Sequence, residues 1–254
     1  MIIAIDIGNS LINLGYFIND NLFVQKIDTY PIKKPSEYFL IIKDFISKNS
    51  LEKDSPGVII SSVVTSHTEV VAEACKALIP EKILILSPEI KTGIVFDIPR
   101  REELGSDRIA NVAAAYEMYK KPVAVVDFGT AITVSVVGKD ANYIGGAIMP
   151  GIRLMNESLA KGTSKLSEVP LIPPGLALGT DTVRCIQSGL FYGAAGAVER
   201  LLSEIEKEIG CDLKAVVTGG FGDVISRFLK REHTLRPHLT LNGLKLIYMR
   251  NMDA

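Results

Sequence analysis

Ala4-Ile5-Asp6-Ile7-Gly8-Asn9-Ser10 near the start of the chain and Val125-Val126-Asp127-Phe128-Gly129-Thr130-Ala131 near its middle share one grammar. In each, an apolar run stops at an aspartate, a glycine follows, and a hydroxyl residue closes the turn. Such runs read as buried strands, and glycine punctuates them. Around the first copy the pattern predicts strands over 2–5, 11–17 and 22–27, with Asn19-Asp20-Asn21 supplying a hairpin turn. The period then lengthens. Phe39, Leu40, Ile42, Phe45 and Ile46 recur at helical spacing behind Pro35, predicting a helix over 36–48. A strand over 58–64, a helix over 67–78, a strand over 83–86 and a helix over 107–119 follow, an alternation that suits parallel pairing under covering helices.

The second copy repeats the order. Strands are predicted over 123–126, 132–137 and 143–148, helices over 151–159 and 182–209, and a strand over 215–218 that enters Gly219-Gly220 before a helix over 223–229. Prolines 170, 173 and 174 mark a loop inside this half. Order and motif recur together, so the chain is an internal duplication with halves 1–121 and 122–254, divided near Lys120-Lys121-Pro122. The expected class is α/β, two units with mixed sheets and an interdomain cleft that has both Asp-x-Gly turns at its floor.

A strand-end carboxylate withdrawn from water needs partners, because an uncompensated one costs several kcal/mol. Glycine lets backbone approach a ligand, and the hydroxyls of Ser10 and Thr130 can donate to phosphate oxygens. One such turn is equally a tight bend with a capped aspartate. Two at matching positions favour phosphate, with Mg2+ held at Asp6 directly or through water.

Leu104-Gly105-Ser106-Asp107-Arg108 precedes the helical spacing of Ile109, Val112, Ala113 and Tyr116. Asp107 either caps that helix or serves as a general base toward an attacking alcohol, with Arg108 orienting an anionic substrate. Gly219-Gly220-Phe221-Gly222 is either an ordinary strand-to-helix turn or a place for an adenosine group. Gly189, Gly193 and Gly196 lie near one face of the long helix, where about 1 kcal/mol each against alanine implies a packing need, within the fold or across a dimer.

With 28 basic and 29 acidic residues among 254, the chain has no positive field for nucleic acid. Three scattered cysteines and three histidines offer no metal-ligand spacing and no disulfide framework. No apolar run approaches the roughly 20 residues of a membrane span, and the opening residues lack a basic leader, so a cytoplasmic protein is expected.

Asp6-Ile7-Gly8-Asn9-Ser10, Gly105-Ser106-Asp107-Arg108, Asp127-Phe128-Gly129-Thr130-Ala131 and Gly179-Thr180-Asp181-Thr182 together resemble, in order and spacing, the type III pantothenate kinases. The resemblance covers nearly the whole chain and implies duplicated ribonuclease-H-like domains of the actin-like ATPase superfamily. It implies ATP-dependent phosphorylation of pantothenate to 4'-phosphopantothenate, the first step of coenzyme A synthesis, by a cytoplasmic homodimer. By position, Asp107 would be the general base. Phe96, Gly105, Ser106, Asp107, Arg108 and Thr182 would bind pantothenate. Asp6, Ile7, Gly8, Asn9, Ser10, Leu11, Ile12, Asn13 and Thr130 would hold ATP. Asp6 would take Mg2+, and Asp127 a monovalent cation, K+ or NH4+. Where the family has a Tyr-acid-Asn-Pro segment, this chain has Phe96-Asp97-Ile98-Pro99, an aromatic wall without the hydroxyl. The alternatives are another small-molecule kinase of the same superfamily and a non-catalytic regulatory relative.

Overall fold

The structure is a computed structural model that describes residues 1–18, 21–49, 56–78 and 83–252. It comprises two compact units, Met1–Ala114 with Leu239–Ala254, and Ala115–His238. Asn19 and Asp20 of the expected turn lie outside the described residues.

In the first unit, β1 (Ile2–Ile7) pairs antiparallel with β2 (Leu11–Ile18), which pairs antiparallel with β3 (Asn21–Asp28). On its other side β1 pairs parallel with β4 (Gly57–Ser62), and β4 with β5 (Ile83–Ile85). The order is β3-β2-β1-β4-β5. The β-branched residues Ile3, Ile5, Val58 and Ile60 are buried in one cluster, as central strands require. Helices α1 (Pro35–Lys48) and α2 (Thr65–Leu78) pack on each other, and both contribute to this cluster. Pro35 sits in the first turn of α1, and the Glu37 carboxylate accepts the Lys34 N–H at 2.8 Å. The buried stripe of α1 runs through Tyr38 and Ile42, whereas Leu40, expected on the apolar face, is exposed.

The second unit repeats the arrangement. β6 (Val123–Phe128), β7 (Ala131–Val137) and β8 (Tyr143–Pro150) form the antiparallel part, and β9 (Lys214–Thr218) and β10 (Thr234–Leu235) the parallel part. The order is β10-β9-β6-β7-β8, the first sheet element for element. Its core is filled by Val126, Phe128, Val134 and Val217 against Phe191, Ala194 and Val198 of α5 (Thr182–Ile209), with α4 (Ile152–Gly162) alongside α5. The helix expected over 223–229 is shorter, α6 (Gly222–Ile225), and continues as a 3-10 turn over Ser226–Phe228.

Larger differences from the sequence reading concern α3 and the end of the chain. Helix α3 (Ser106–Tyr119) begins in the first unit and ends in the second, whereas the sequence reading sets the division near Lys120-Lys121-Pro122. A C-terminal helix, α7 (Leu239–Met252), was not anticipated, and it belongs to the first unit, against β1, β4 and β2. It buries Leu239, Leu241, Leu244 and Ile247, and the Thr240 hydroxyl donates to Asn111 Oδ1 at 2.8 Å. Gly243 lies so close to α3 that a Cβ there would stand 2.0 Å from the Ala110 carbonyl oxygen.

Candidate active site

Asp6 is the penultimate residue of β1 and nearly buried. Register explains its partners: Asp6 lies opposite Asn13 on β2 and Ser61 on β4. Residues opposite one another in a sheet project from the same face. Ser61 Oγ accordingly donates to Asp6 Oδ1 at 3.1 Å, and Asn13 Nδ2 to Asp6 Oδ2 at 3.4 Å. Ser61, absent from the expected site, is fully buried.

The turn after Asp6 is closed by the Gly8 N–H donating to the Leu11 carbonyl at 3.0 Å. Thr29, just beyond β3, grips it at both sides. Its hydroxyl donates to the Gly8 carbonyl at 2.7 Å and its N–H to the Ser10 carbonyl at 3.1 Å. The Thr29 carbonyl is 2.7 Å from His67 Nε2, which therefore carries the ring proton and donates it. Both residues are wholly buried, so the turn is braced from beneath while Asn9, Ser10 and Leu11 stay exposed. His67 is thus a core histidine with a named task.

Asp107 occupies the first turn of α3. Its Oδ1 accepts the Arg108 N–H at 2.8 Å and lies where Gly105 leaves room, since a Cβ on Gly105 would come within 2.6 Å of it. Burial pushes the Asp107 carboxyl above the usual carboxylate range, an effect that the Arg108 N–H and guanidinium oppose only in part. Ser106, the residue before it, turns inward. Its Oγ is 3.0 Å from Ser61 Oγ, receives the Ser62 N–H at 2.9 Å and lies 3.0 Å from the Ser62 carbonyl. Its hydroxyl is therefore engaged inside the fold. Phe96 is buried in the same unit, with Asp97 exposed beside it.

In the second unit Asp127 holds the same sheet position as Asp6, opposite Thr133 on β7 and Thr218 on β9. The Gly129 N–H donates to the Ala131 carbonyl at 3.1 Å, the counterpart of the Gly8 bond. Gly219 adopts φ +94°, and a Cβ there would stand 2.4 Å from Asp127 Oδ1, so only glycine fits against this carboxylate. Thr130 is exposed at the turn, its carbonyl accepting the Gly151 N–H at 3.0 Å. A Cβ on Gly220 would meet nothing, which leaves that backbone open. Thr182 is the exposed first residue of α5, whose Asp181 cap accepts the Arg184 N–H at 2.9 Å.

Among the described residues no three His, Cys, Asp or Glu side chains gather to cage a metal. Single carboxylates beside glycine turns and hydroxyls fit a cation that arrives with a polyphosphate and keeps its waters. Among the described residues no helix is long and apolar enough to cross a membrane.

Doubled five-stranded sheets, each ending its first strand in an aspartate turn, define the actin-like ATPase and sugar-kinase fold. An activator of 2-hydroxyisocaproyl-CoA dehydratase from Clostridium difficile, solved with bound ADPNP, superimposes with a TM-score of 0.56 at 11% identity, covering 99% of this chain and 96% of its own. An inorganic polyphosphate/ATP-glucomannokinase from Arthrobacter sp. strain KM does so at 0.52 and 15%, over 98% of both chains. The family described as type III pantothenate kinase matches residues 2–204. A type III pantothenate kinase from Moorella thermoacetica is 36% identical over 253 residues, 99% of this chain and 100% of that protein. The chain belongs to the type III pantothenate kinase family and is a kinase.

Proposed function

We propose that the protein transfers the γ-phosphoryl group of ATP to the primary hydroxyl of pantothenate, giving 4'-phosphopantothenate for coenzyme A synthesis. The observation that carries the reading is the contrast between carboxylates. Asp6 is met by two side-chain donors, whereas burial raises the proton affinity of Asp107. Groups whose environments differ in this way suit different tasks in one reaction.

Phosphoryl transfer asks the protein for positioning and for charge stabilisation, and the acceptor alcohol must lose a proton. Asp107 takes that proton, its raised affinity bringing it nearer to working pH. Gly105, Ser106, Arg108, Phe96 and Thr182 bind pantothenate beside Asp107, with Arg108 directed to its carboxylate. Residues 6–13 and Thr130 hold ATP through backbone N–H groups and the hydroxyls of Ser10 and Thr130. Mg2+ entering with the triphosphate offsets its charge, with Asp6 its protein ligand directly or through water, and K+ or NH4+ is held at Asp127.

The working form is proposed to be a cytoplasmic homodimer. Gly189, Gly193 and Gly196 line α5 with open space before them, and Leu176 and Leu178 in the loop ahead of it are 75% and 80% exposed. Apolar surface of this kind commonly marks an interface.

The test is pantothenate-dependent ADP release with ATP and Mg2+, with K+ exchanged for Na+. Turnover with pantothenate that falls in Na+ is expected. Turnover with acetate or a sugar and none with pantothenate would remove the assignment, and no turnover at all would favour a regulatory protein.

A further inference from the structure

The hydroxyls of Ser61 and Ser106 join two parts of the machinery that the sequence keeps 100 residues apart, the Asp6 turn and the first turn of α3. A hydroxyl owns one proton. Ser61 donates its proton to Asp6 Oδ1, so in the 3.0 Å contact with Ser106 it must accept. Ser106 then has one proton for two acceptors, Ser61 Oγ and the Ser62 carbonyl, both 3.0 Å away, while its own oxygen is fixed by the Ser62 N–H at 2.9 Å. Ser61 is fully buried and Ser106 is 7% exposed, so neither hydroxyl can readily exchange these partners for water.

The chain has a direction, from Ser106 through Ser61 to the carboxylate. Hydrogen bonds in series polarise one another, so the charge on Asp6 strengthens the Ser106-to-Ser61 bond at the expense of the bond to Ser62. Any ligand that draws charge from Asp6 weakens that pull and frees the Ser106 proton for the Ser62 carbonyl. Ser106 immediately precedes Asp107, so the choice is made at the residue that seats the base.

We propose that Ser61 is a positioning residue that couples the Asp6 phosphate turn to the Asp107 end of α3, so that nucleotide binding and the setting of the acceptor base are one linked event. This rests on the reading of Asp6 and Asp107 given above, and it adds a residue and a linkage to that reading.

The experiment measures binding of a non-hydrolysable ATP analogue with Mg2+ by calorimetry to the full chain and to Ser61→Ala, Ser106→Ala and the double variant, with kcat and the KM for ATP at saturating pantothenate alongside. Ser106→Ala changes a residue assigned to the acceptor side, yet it is expected to weaken nucleotide binding about 3- to 10-fold. Ser61→Ala should weaken it at least as much, and the double variant no more than Ser61→Ala alone, because contacting residues in one network are not additive. Both single variants should lower kcat as well as raise the KM for ATP, while Ser61→Cys, close in volume with a weaker donor, should recover part of the loss. Melting curves establish that each variant is folded, and if Ser61→Ala is not, Ser106→Ala and Ser61→Cys still decide. A folded Ser106→Ala with native nucleotide affinity, or losses that simply multiply in the double variant, would overturn the linkage and leave the kinase reading standing. A native chain that neither binds the analogue nor phosphorylates pantothenate would defeat the kinase reading itself.

Discussion

Replacing Asp107 by asparagine separates catalysis from folding. The amide has nearly the volume of the carboxyl, and its Oδ1 can keep the 2.8 Å bond from the Arg108 N–H while remaining in the space Gly105 leaves. What disappears is the ability to take a proton from the acceptor alcohol. A general base is worth about 100- to 10,000-fold, or about 3 to 5 kcal/mol of barrier, so kcat should fall on that scale. Stability should move the other way. Burial raises the proton affinity of Asp107 in the folded state, so the native chain holds its proton more tightly than the unfolded chain. The protonated group is neutral to stability below the ordinary aspartate value of about 3.9, and stability is lost as pH rises through the raised native value. Asparagine cannot ionise, so its melting temperature should equal or exceed the native one, by a margin that grows from acid to neutral pH. The assay is steady-state ADP release with calorimetry of an ATP analogue and melts across that range. A folded variant retaining more than about a tenth of native kcat would refute Asp107 as the base. Loss of nucleotide binding in parallel with activity would refute its separate role.

Gly105→Ala offers an independent view of the same carboxyl. The new Cβ would meet Asp107 Oδ1 at 2.6 Å, with its next neighbour, Val63 Cγ1, at a comfortable 3.6 Å, so the carboxyl swings aside while the fold is little changed. Stability should stay within about 1 kcal/mol, whereas displacement of a base by an ångström can cost about 100-fold in kcat, read by melts and turnover on the same sample. Leu176→Asp with Leu178→Asp places charge on the most exposed apolar residues ahead of α5. Sedimentation should then show a dimer for the native chain and a monomer for the variant, and an unchanged dimer would move the interface elsewhere.

The strands, long helices and both aspartate turns were legible because they are local: an apolar run, a glycine and a hydroxyl suffice to mark them. What was illegible depends on partners distant in sequence. Ser61 looks like any residue ending an apolar strand until β4 is laid beside β1, when it falls opposite Asp6. The duplication held a clue, since Thr218 falls opposite Asp127 in the same way, and matching β4 to β9 as the turns were matched would have singled out both. Helix α7 escaped for a different reason. Leu239, Leu241, Leu244 and Ile247 are all buried, so its apolar residues do not keep to one narrow stripe, and Gly243, unfavourable in an isolated helix, is required by contact with Ala110. The inward turn of Ser106 was equally hidden, because only the fold brings Ser61 and Ser62 to it.

In the proposed reaction the doubled fold also gives a reason for the base to come from outside the two repeated turns. Asp6 and Asp127 occupy one sheet position twice, each opposite two polar residues on neighbouring strands. A proton acceptor is better served by fewer side-chain donors, and the helices that follow the fifth strand of each sheet offer two corresponding places. In the first copy that helix is α3, whose opening Ser106-Asp107 sets a half-buried carboxyl behind the space left by Gly105. In the second copy it is α7, whose opening Leu239-Thr240 supplies a hydroxyl that donates to Asn111 of α3 and fixes packing within the first unit. Duplication supplied two corresponding helix starts, and only that of α3 carries a carboxyl in its first turn. The proposed chemistry is therefore asymmetric although the scaffold is not: both copies present an acid at the sheet, and Asp107, the proposed base, has no carboxyl counterpart in the opening turn of α7.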